Sequence, residues 1–401
     1  MEARAPALAI PAHESAFERH SVWVGEFMQG LLFALRKRAI AHCILHNYES
    51  FPQPRSGISD MDVLVDELRW SDVLSELRHV VEERGLRVLL TYTNSSGNLL
   101  QVFIAGRDGP ALHLDLFTGL VWRQFDLIDA RLLLASVLAE PLPPRPRPGH
   151  EAAVSLLAYL FHRGVVKPEY RSPIARLVAS DRKGFVDLVA AVWSAAEAEE
   201  LAECVGSERW ESVVDWRTRA AANLQRKKWC LQPLPTLGRA FVRLRNVARR
   251  VLHPPGLWIV LIGSDACGRD SIRTALATAL ASVFSPEKSQ PLSWDAGMWK
   301  TWLRILPRLW RNGLVVIDAP PVPVGRVWLA EKRMPKPDLV FYLEAPADVI
   351  CMGSRARVVD VQRPVLEIVN HLREQVFDHL ARREQRHASL LAEDPAFSVR
   401  M

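Results

Sequence analysis

The sequence predicts an α/β protein with three parts: a small mixed sheet, a helical middle region and a three-layer domain around a parallel sheet. Short apolar segments alternate with amphipathic helical segments in the first part. A proline-rich stretch at 141–148 then breaks the pattern, and alanine- and leucine-rich helical spacing follows it. A continuous apolar run at 257–262 is typical of a buried parallel strand. We therefore divide the chain into residues 1–140, 149–235 and 236–401.

The first part is expected to contain five strands and one well-bounded helix between the second and third strands. Ser71 is a candidate cap at the start of this helix, and Gly85 is well placed to end it. The turn at 95–98 contains Gly97 and would join two strands as a hairpin. The predicted strands are 40–45, 62–65, 86–93, 99–104 and 111–117, and the predicted helix is 72–84.

Three aspartates in the first part are the strongest candidates for chemistry. Asp60 and Asp62 are two residues apart, so they point to the same face of a strand. A second strand could bring Asp115 beside them. Three carboxylates that converge repel one another unless a cation neutralises them, and Mg²⁺ or Mn²⁺ bound to nucleotide phosphates would do so. The pattern favours phosphoryl or nucleotidyl transfer, with all three as metal ligands and catalytic residues; the alternative is an ordinary strand cap or solvated edge.

This arrangement resembles the polymerase-beta type of nucleotidyltransferase over roughly residues 14–135. The resemblance implies that Asp60 and Asp62 hold Mg²⁺ against a nucleoside triphosphate. It implies that Asp115 binds a second ion or deprotonates the attacking hydroxyl of an unknown acceptor. The family usually has Gly-Ser on the turn after its first strand, whereas this chain has Leu-His-Asn-Tyr-Glu at 45–49. That departure weakens the expectation of triphosphate binding.

The middle region and the segment after it are expected to be helical. The predicted helices of the middle region are 151–161, 173–179, 184–202 and 208–226. Residues 236–252 form a further helix that combines five arginines with a thin apolar stripe. A solvated basic face is one interpretation of this helix, and a membrane-surface or phosphate-binding helix is the other.

The third part opens with a glycine-bounded loop between a strand and a helix. Gly263 and Gly268 have the spacing of a P-loop, G-x-x-x-x-G-K-[ST]. Arg269 replaces the lysine of that motif, and Asp270 replaces the hydroxyl residue that would bind Mg²⁺. A carboxylate there places negative charge where a phosphate would lie. The candidate nucleotide-binding residues are Gly263, Asp265, Gly268, Arg269, Ser271 and Asp318.

The loop, the strand that ends in Asp318 and the segment 337–346 together resemble a thymidylate kinase-type P-loop domain over about 256–395. Ala319 stands where that family has an arginine. The whole chain is similar to two-part bacterial proteins with a nucleotidyltransferase-like front and a thymidylate kinase-like rear. The changes at Arg269, Asp270 and Ala319 favour a degenerate rear domain that binds ATP or another nucleotide without turning it over. Two alternatives stay open: a nucleotide kinase, and a non-catalytic nucleotide-binding or assembly protein.

Composition sets the remaining expectations. The 401 residues carry a net charge of +6 with a pI near 9.2, which suits nucleotides as partners and leaves nucleic acid as a secondary candidate. No apolar run reaches the length of a membrane span. The five cysteines form no Cys-x-x-Cys pair, so we expect a reducing, cytoplasmic location. The sequence leaves the acceptor, the base preference and the oligomeric state open.

Overall fold

A computed structural model shows a mixed α/β protein. It describes residues 12–45, 60–106, 110–138, 143–263, 268–284, 292–293, 298–319, 337–343 and 356–392. Within these ranges the chain forms two five-stranded sheets, a two-stranded hairpin and a block of helices between the sheets in sequence. The α/β class predicted from the sequence is confirmed.

The front sheet is mixed, with strand order β1-β2-β5-β4-β3. β2 and β5 are parallel, and the other neighbours in this sheet are antiparallel. All five predicted strands are present with slightly different ends. The elements are α1 (Ala12–Lys37), β1 (His42–Ile44), β2 (Met61–Val65), α2 (Trp70–Glu83), β3 (Arg87–Thr93), β4 (Leu99–Ala105), β5 (Leu112–Phe117), β6 (Val121–Trp122), β7 (Phe125–Asp126) and α3 (Ala130–Ala135).

One face of the front sheet packs on α1 and α2. Val63 and Val65 lie on this face, whereas Leu64 points to the other, as strand alternation requires. Gly85 follows α2 with a φ of +61°, the left-handed conformation that glycine adopts readily. The prediction that Ser71 caps α2 was wrong. A short 3₁₀ turn at 67–69 precedes the helix, and Asp66 caps that turn instead.

The middle region consists of α4 (Pro148–Ala158), α5 (Pro168–Ser180), α6 (Arg182–Ala190), α7 (Ala195–Gly206) and α8 (Trp210–Leu231). Two expectations need correction. Pro148 begins α4, where the first turn needs no N–H donor, rather than extending the connector. The predicted helix 184–202 is two helices, because Ser194 and Glu197 form a capping box that starts α7.

The rear sheet is parallel throughout, with strand order β12-β11-β8-β10-β9. Apolar side chains are buried on both of its faces, one against α10 and α12 and the other against α11. The elements are α9 (Pro233–Leu252), β8 (Leu257–Ile262), α10 (Arg269–Ala279), β9 (Leu292–Ser293), α11 (Met298–Trp310), β10 (Leu314–Ala319), β11 (Leu339–Leu343), β12 (Ala356–Val359) and α12 (Val365–Ala392).

The second face of the front sheet is covered by two different neighbours. Near β3, Leu89 and Phe103 share one apolar cluster with rear residues such as Phe377 of α12. Near β1, Cys43 and Leu64 belong to the apolar cluster of the helical middle. Between these two clusters, the same face carries a strip of polar side chains on β2, β5 and β4, which includes Asp62, Asp115 and Gln101. We call it the polar strip.

Candidate active site

The parallel pairing of β2 and β5 places Asp62 directly beside Asp115. Both side chains belong to the face of the sheet away from α1 and α2, because their neighbours Val63 and Leu114 fill the core on the other face. Asp60 comes one residue before β2, and its side chain is about half exposed, at 54%. The structure therefore brings the three predicted aspartates to one end of the polar strip.

His113 holds two of these aspartates together. Its Nδ1 lies 2.7 Å from Oδ1 of Asp60, and its Nε2 lies 2.8 Å from Oδ1 of Asp115. Its ring stacks on Phe103 with centroids 4.4 Å apart. Burial alone would lower the pKa of His113, but the hydrogen bonds with Asp115 and Asp60 raise it to about 9. An imidazolium thus lies between two carboxylates at neutral pH.

Sequence reasoning missed His113, although a signal for it was present. His113 is two residues before Asp115 on the same strand, so the alternation that links Asp60 to Asp62 also puts His113 beside Asp115. Gln101 was missed for a different reason. Its position opposite Asp115 follows from the register of β4 against β5, which depends on strand pairing.

Asp62 is the most perturbed of the three acids. Burial raises its pKa, and the negative charges of Asp115 and Asp60 raise it further, to about 7, against the opposing effect of His113. Gln101 Nε2 donates to both carboxylate oxygens of Asp115, at 3.0 and 3.3 Å. The site therefore brings three carboxylates close together, and His113 and Gln101 are among the described residues that offset their negative charge.

Tyr92 and Arg250 form one border of this strip. Burial and then the charge of Asp115 raise the pKa of the Tyr92 phenol to about 12, so the hydroxyl stays protonated at neutral pH. The Arg250 guanidinium lies over the Tyr92 ring, 5.4 Å from its centroid, and its Nη2 donates to the Thr93 carbonyl oxygen. α9 is thereby attached to the edge of the front sheet beside the aspartates.

The chemistry of the donors fits a hard divalent cation, because three carboxylates supply the oxygen ligands that Mg²⁺ prefers. Repulsion from Asp115 and Asp60 contributes to the raised pKa of Asp62, and a bound cation would reduce that repulsion. His113, however, occupies the space between Asp60 and Asp115. In the described ranges, no group of three or more His, Cys, Asp or Glu side chains is arranged to hold a metal. A cation that binds here would therefore have to displace the imidazolium of His113 from between Asp60 and Asp115.

Arg269, the first residue of α10, bonds back to Gly263, which follows β8. Gly268 adopts a φ of +68° and precedes α10, as a glycine-bounded loop requires. Arg269 Nη1 donates to the Gly263 carbonyl oxygen at 2.8 Å, so this guanidinium is engaged by the loop backbone. Ser271 is exposed on the first turn of α10. Asp265 lies outside the described residues.

Asp318 is paired with a cation from α10. Arg273 Nη1 donates to its Oδ2 and also lies 3.0 Å from Oδ1 of Asp270. Burial raises the pKa of Asp318, and the charge of Arg273 opposes that effect. Oδ1 of Asp318 is buried and accepts no hydrogen bond from the part of the chain that the structure describes. Arg273, which sequence reasoning did not single out, pairs with the acid that the sequence analysis assigned to nucleotide binding.

No family model matches the chain, and no curated protein matches it in sequence. In the described residues, no helix is both long enough and apolar enough to cross a membrane.

Proposed function

We propose that the protein is a metal-dependent nucleotidyltransferase that uses the front site. One observation carries this proposal: Asp62 and Asp115 are side by side on parallel strands, and His113 links Asp60 to Asp115. Clustered carboxylates on adjacent strands suit the transfer of a nucleotidyl group from a nucleoside triphosphate. The acceptor would carry a hydroxyl group.

Each side chain has a role in this proposal. Asp60 and Asp62 would hold Mg²⁺ or Mn²⁺, which when bound offsets the charge of the triphosphate. Asp115, positioned by Gln101, would take the proton from the attacking hydroxyl or share a second ion. The hydroxyl oxygen forms the new bond to the α-phosphorus as the bond to pyrophosphate breaks. His113 would hold the aspartates in place while no cation is bound.

The front site would be tested by ligand-dependent thermal shifts with each nucleoside triphosphate plus Mg²⁺ or Mn²⁺. A metal-dependent shift that is lost in Asp60→Asn/Asp62→Asn supports the proposal. Asp215→Asn, an exposed acid on α8, is the matched control and should keep the shift. Release of pyrophosphate in the presence of candidate hydroxyl acceptors would then measure transfer. Unchanged product formation by the double variant would reject the assignment.

A second candidate is a protein that binds nucleotide in the rear domain without turning it over. The contact from Arg273 to Asp318 favours it over a kinase, because it neutralises the acid that the kinase alternative would use near Mg²⁺. This candidate predicts ATP or GTP binding by calorimetry that is lost in Arg269→Ala and kept in Asp60→Asn/Asp62→Asn. Transfer of the γ-phosphate of ATP to a nucleoside monophosphate would show a kinase instead.

A further inference from the structure

The outer surface of α9 is unusually apolar. Of the eighteen large hydrophobic side chains that are exposed in the described ranges, nine fall between residues 229 and 252. Phe241 is 67% exposed and Leu244 is 66% exposed. The exposed stripe of α9 is Leu234, Leu237, Phe241, Leu244, Val247, Val251 and Leu252, and Trp229 and Leu231 near the end of α8 are exposed as well. Scattered exposed apolar residues are ordinary, but a contiguous set marks a binding surface.

The stripe runs along one side of the helix. At about 100° per residue, its members, including Val247, fall within an arc of about 140°. The opposite side of α9 is attached to the front domain. Arg239 pairs there with Asp126, and Asn246 donates to the Asn94 carbonyl oxygen at 3.4 Å. The helix is thus held on one side and presents the apolar stripe on the other.

The charge of α9 is entirely positive. Residues 233–252 include five arginines and neither aspartate nor glutamate. By helical geometry Arg243 flanks one edge of the stripe, and Arg245 and Arg249 flank the other. An apolar arc with Phe and Leu, bordered by arginines and low in mean hydropathy, is the pattern of a helix that lies in a membrane interface.

We propose that α9 docks the protein on an anionic lipid bilayer, with its exposed stripe inserted at the level of the headgroups. Trp229, exposed near the end of α8 and just before the stripe in sequence, carries an indole, which suits a membrane interface. Arg243, exposed beside the stripe, is complementary to acidic phospholipid headgroups. This docking is peripheral, and it is independent of the chemistry proposed for the aspartates.

A second copy of the chain is a poorer occupant of this surface. Two α9 helices packed through their stripes would bring together the arginines that flank the stripe in each copy, with no aspartate or glutamate on either helix. Like charges that flank an apolar seam oppose helix pairing, whereas an anionic surface attracts both flanks. The charge distribution therefore favours lipid.

The test is co-sedimentation of the full chain with vesicles of phosphatidylcholine alone or mixed with phosphatidylserine. We expect binding to the mixed vesicles that weakens with salt. Phe241→Ser/Leu244→Ser should reduce it roughly tenfold or more, because apolar burial is lost. Phe33→Ser/Leu68→Ser is the matched control, since those residues are 69% and 73% exposed on other elements, and it should bind like the wild type.

A charge variant separates the two contributions. Arg243→Gln should weaken binding to the mixed vesicles roughly fivefold, given about 1 kcal/mol for each basic residue near an anionic surface. Arg78→Gln, an exposed arginine on α2, is its control and should have no effect. The absence of binding to mixed vesicles, or equal binding by Phe241→Ser/Leu244→Ser, would overturn the proposal. Self-association or duplex DNA binding that the same double variant abolishes, without vesicle binding, would also overturn it.

Discussion

His113 decides the electrostatics of the front site at the scale of single residues. Its contacts with Asp60 and Asp115 place a positive charge among three acids, and its pKa is raised to about 9. The same charge lowers the pKa of Asp62, against the larger effect of burial. The imidazolium of His113 therefore offsets part of the repulsion among the three aspartates without a bound cation.

Replacing His113 by Gln should raise the pKa of Asp62 above its value of about 7 in the wild type. The physical reason is that the variant removes the one positive group that opposes burial and the charges of Asp115 and Asp60. A pH titration of the aspartate side-chain carboxyl carbons by NMR measures this shift. His79→Gln, an exposed histidine on α2, is the control. A lower or unchanged pKa of Asp62 in His113→Gln would contradict the assignment of the imidazolium.

Asp62→Asn should make the folded protein more stable at alkaline pH. The folded-state pKa of Asp62 is raised to about 7, so the native carboxyl keeps its proton where the unfolded one has lost it. The contribution of Asp62 to the stability of the wild type therefore falls as the pH rises from about 4 to about 7. Asp62→Asn removes this loss of folding stability, which is on the order of a few kcal/mol above about pH 7. Urea unfolding across this pH range, with Asp215→Asn as reference, measures it. Parallel pH profiles for wild type and Asp62→Asn would contradict the prediction.

At the scale of elements, the packing of α4 on α6 depends on a close approach at Gly149. Asp181 accepts hydrogen bonds from the Gly149 and Gly184 N–H groups, each at 3.0 Å, and from Arg147 Nε at 2.6 Å. These bonds hold the pKa of Asp181 below its usual range, although burial opposes them. A Cβ on Gly149 would lie 2.2 Å from the Asp181 carbonyl oxygen.

Gly149→Ala should therefore destabilise the protein by about 3 kcal/mol, since backbone atoms must move to make room for the Cβ. Gly206→Ala, in α7, is the matched control because a Cβ there meets no atom within 4 Å. Removing glycine from that helix should leave stability unchanged or raise it slightly. Thermal and urea unfolding compare the two variants. Equal stabilities would show that α4 and α6 are not in close contact at Gly149.

At the scale of the whole molecule, the front and rear sheets share a core. Leu89 of β3 and Phe377 of α12 belong to one apolar cluster. Arg87 pairs across the same contact with Glu374 at 2.8 Å and with Asp378 at 2.7 Å. Because these apolar contacts are buried and continuous, we expect the two sheets to unfold together.

Leu89→Ala should cost about 2–5 kcal/mol and lower hydrogen-exchange protection in both β3 and β8. Leu188→Ala is the matched control, since Leu188 is equally buried but belongs to the cluster of the helical middle. It should reduce protection in α6 more than in β8. Loss of protection in β3 alone for Leu89→Ala would show that the shared core does not couple the sheets.

The sequence determined most of the local structure and singled out the three aspartates that the structure brings close together. Period-two alternation is a property of the strand itself, so it placed Val63 and Val65 opposite Leu64. Glycine conformation is equally local, and Gly85 ends α2 as predicted. The capping box at Ser194 was also readable but was overlooked.

Only the tertiary structure decided what surrounds these residues. The pairing of β2 with β5 brought Asp115 to Asp62, and the register of β4 brought Gln101. The pairing of Arg273 with Asp318 likewise depends on how α10 packs on the parallel sheet. The physical reason is that local patterns assign each side chain to a face of its own element. Which faces meet is set by strand pairing and by burial of apolar surface between residues far apart in the chain.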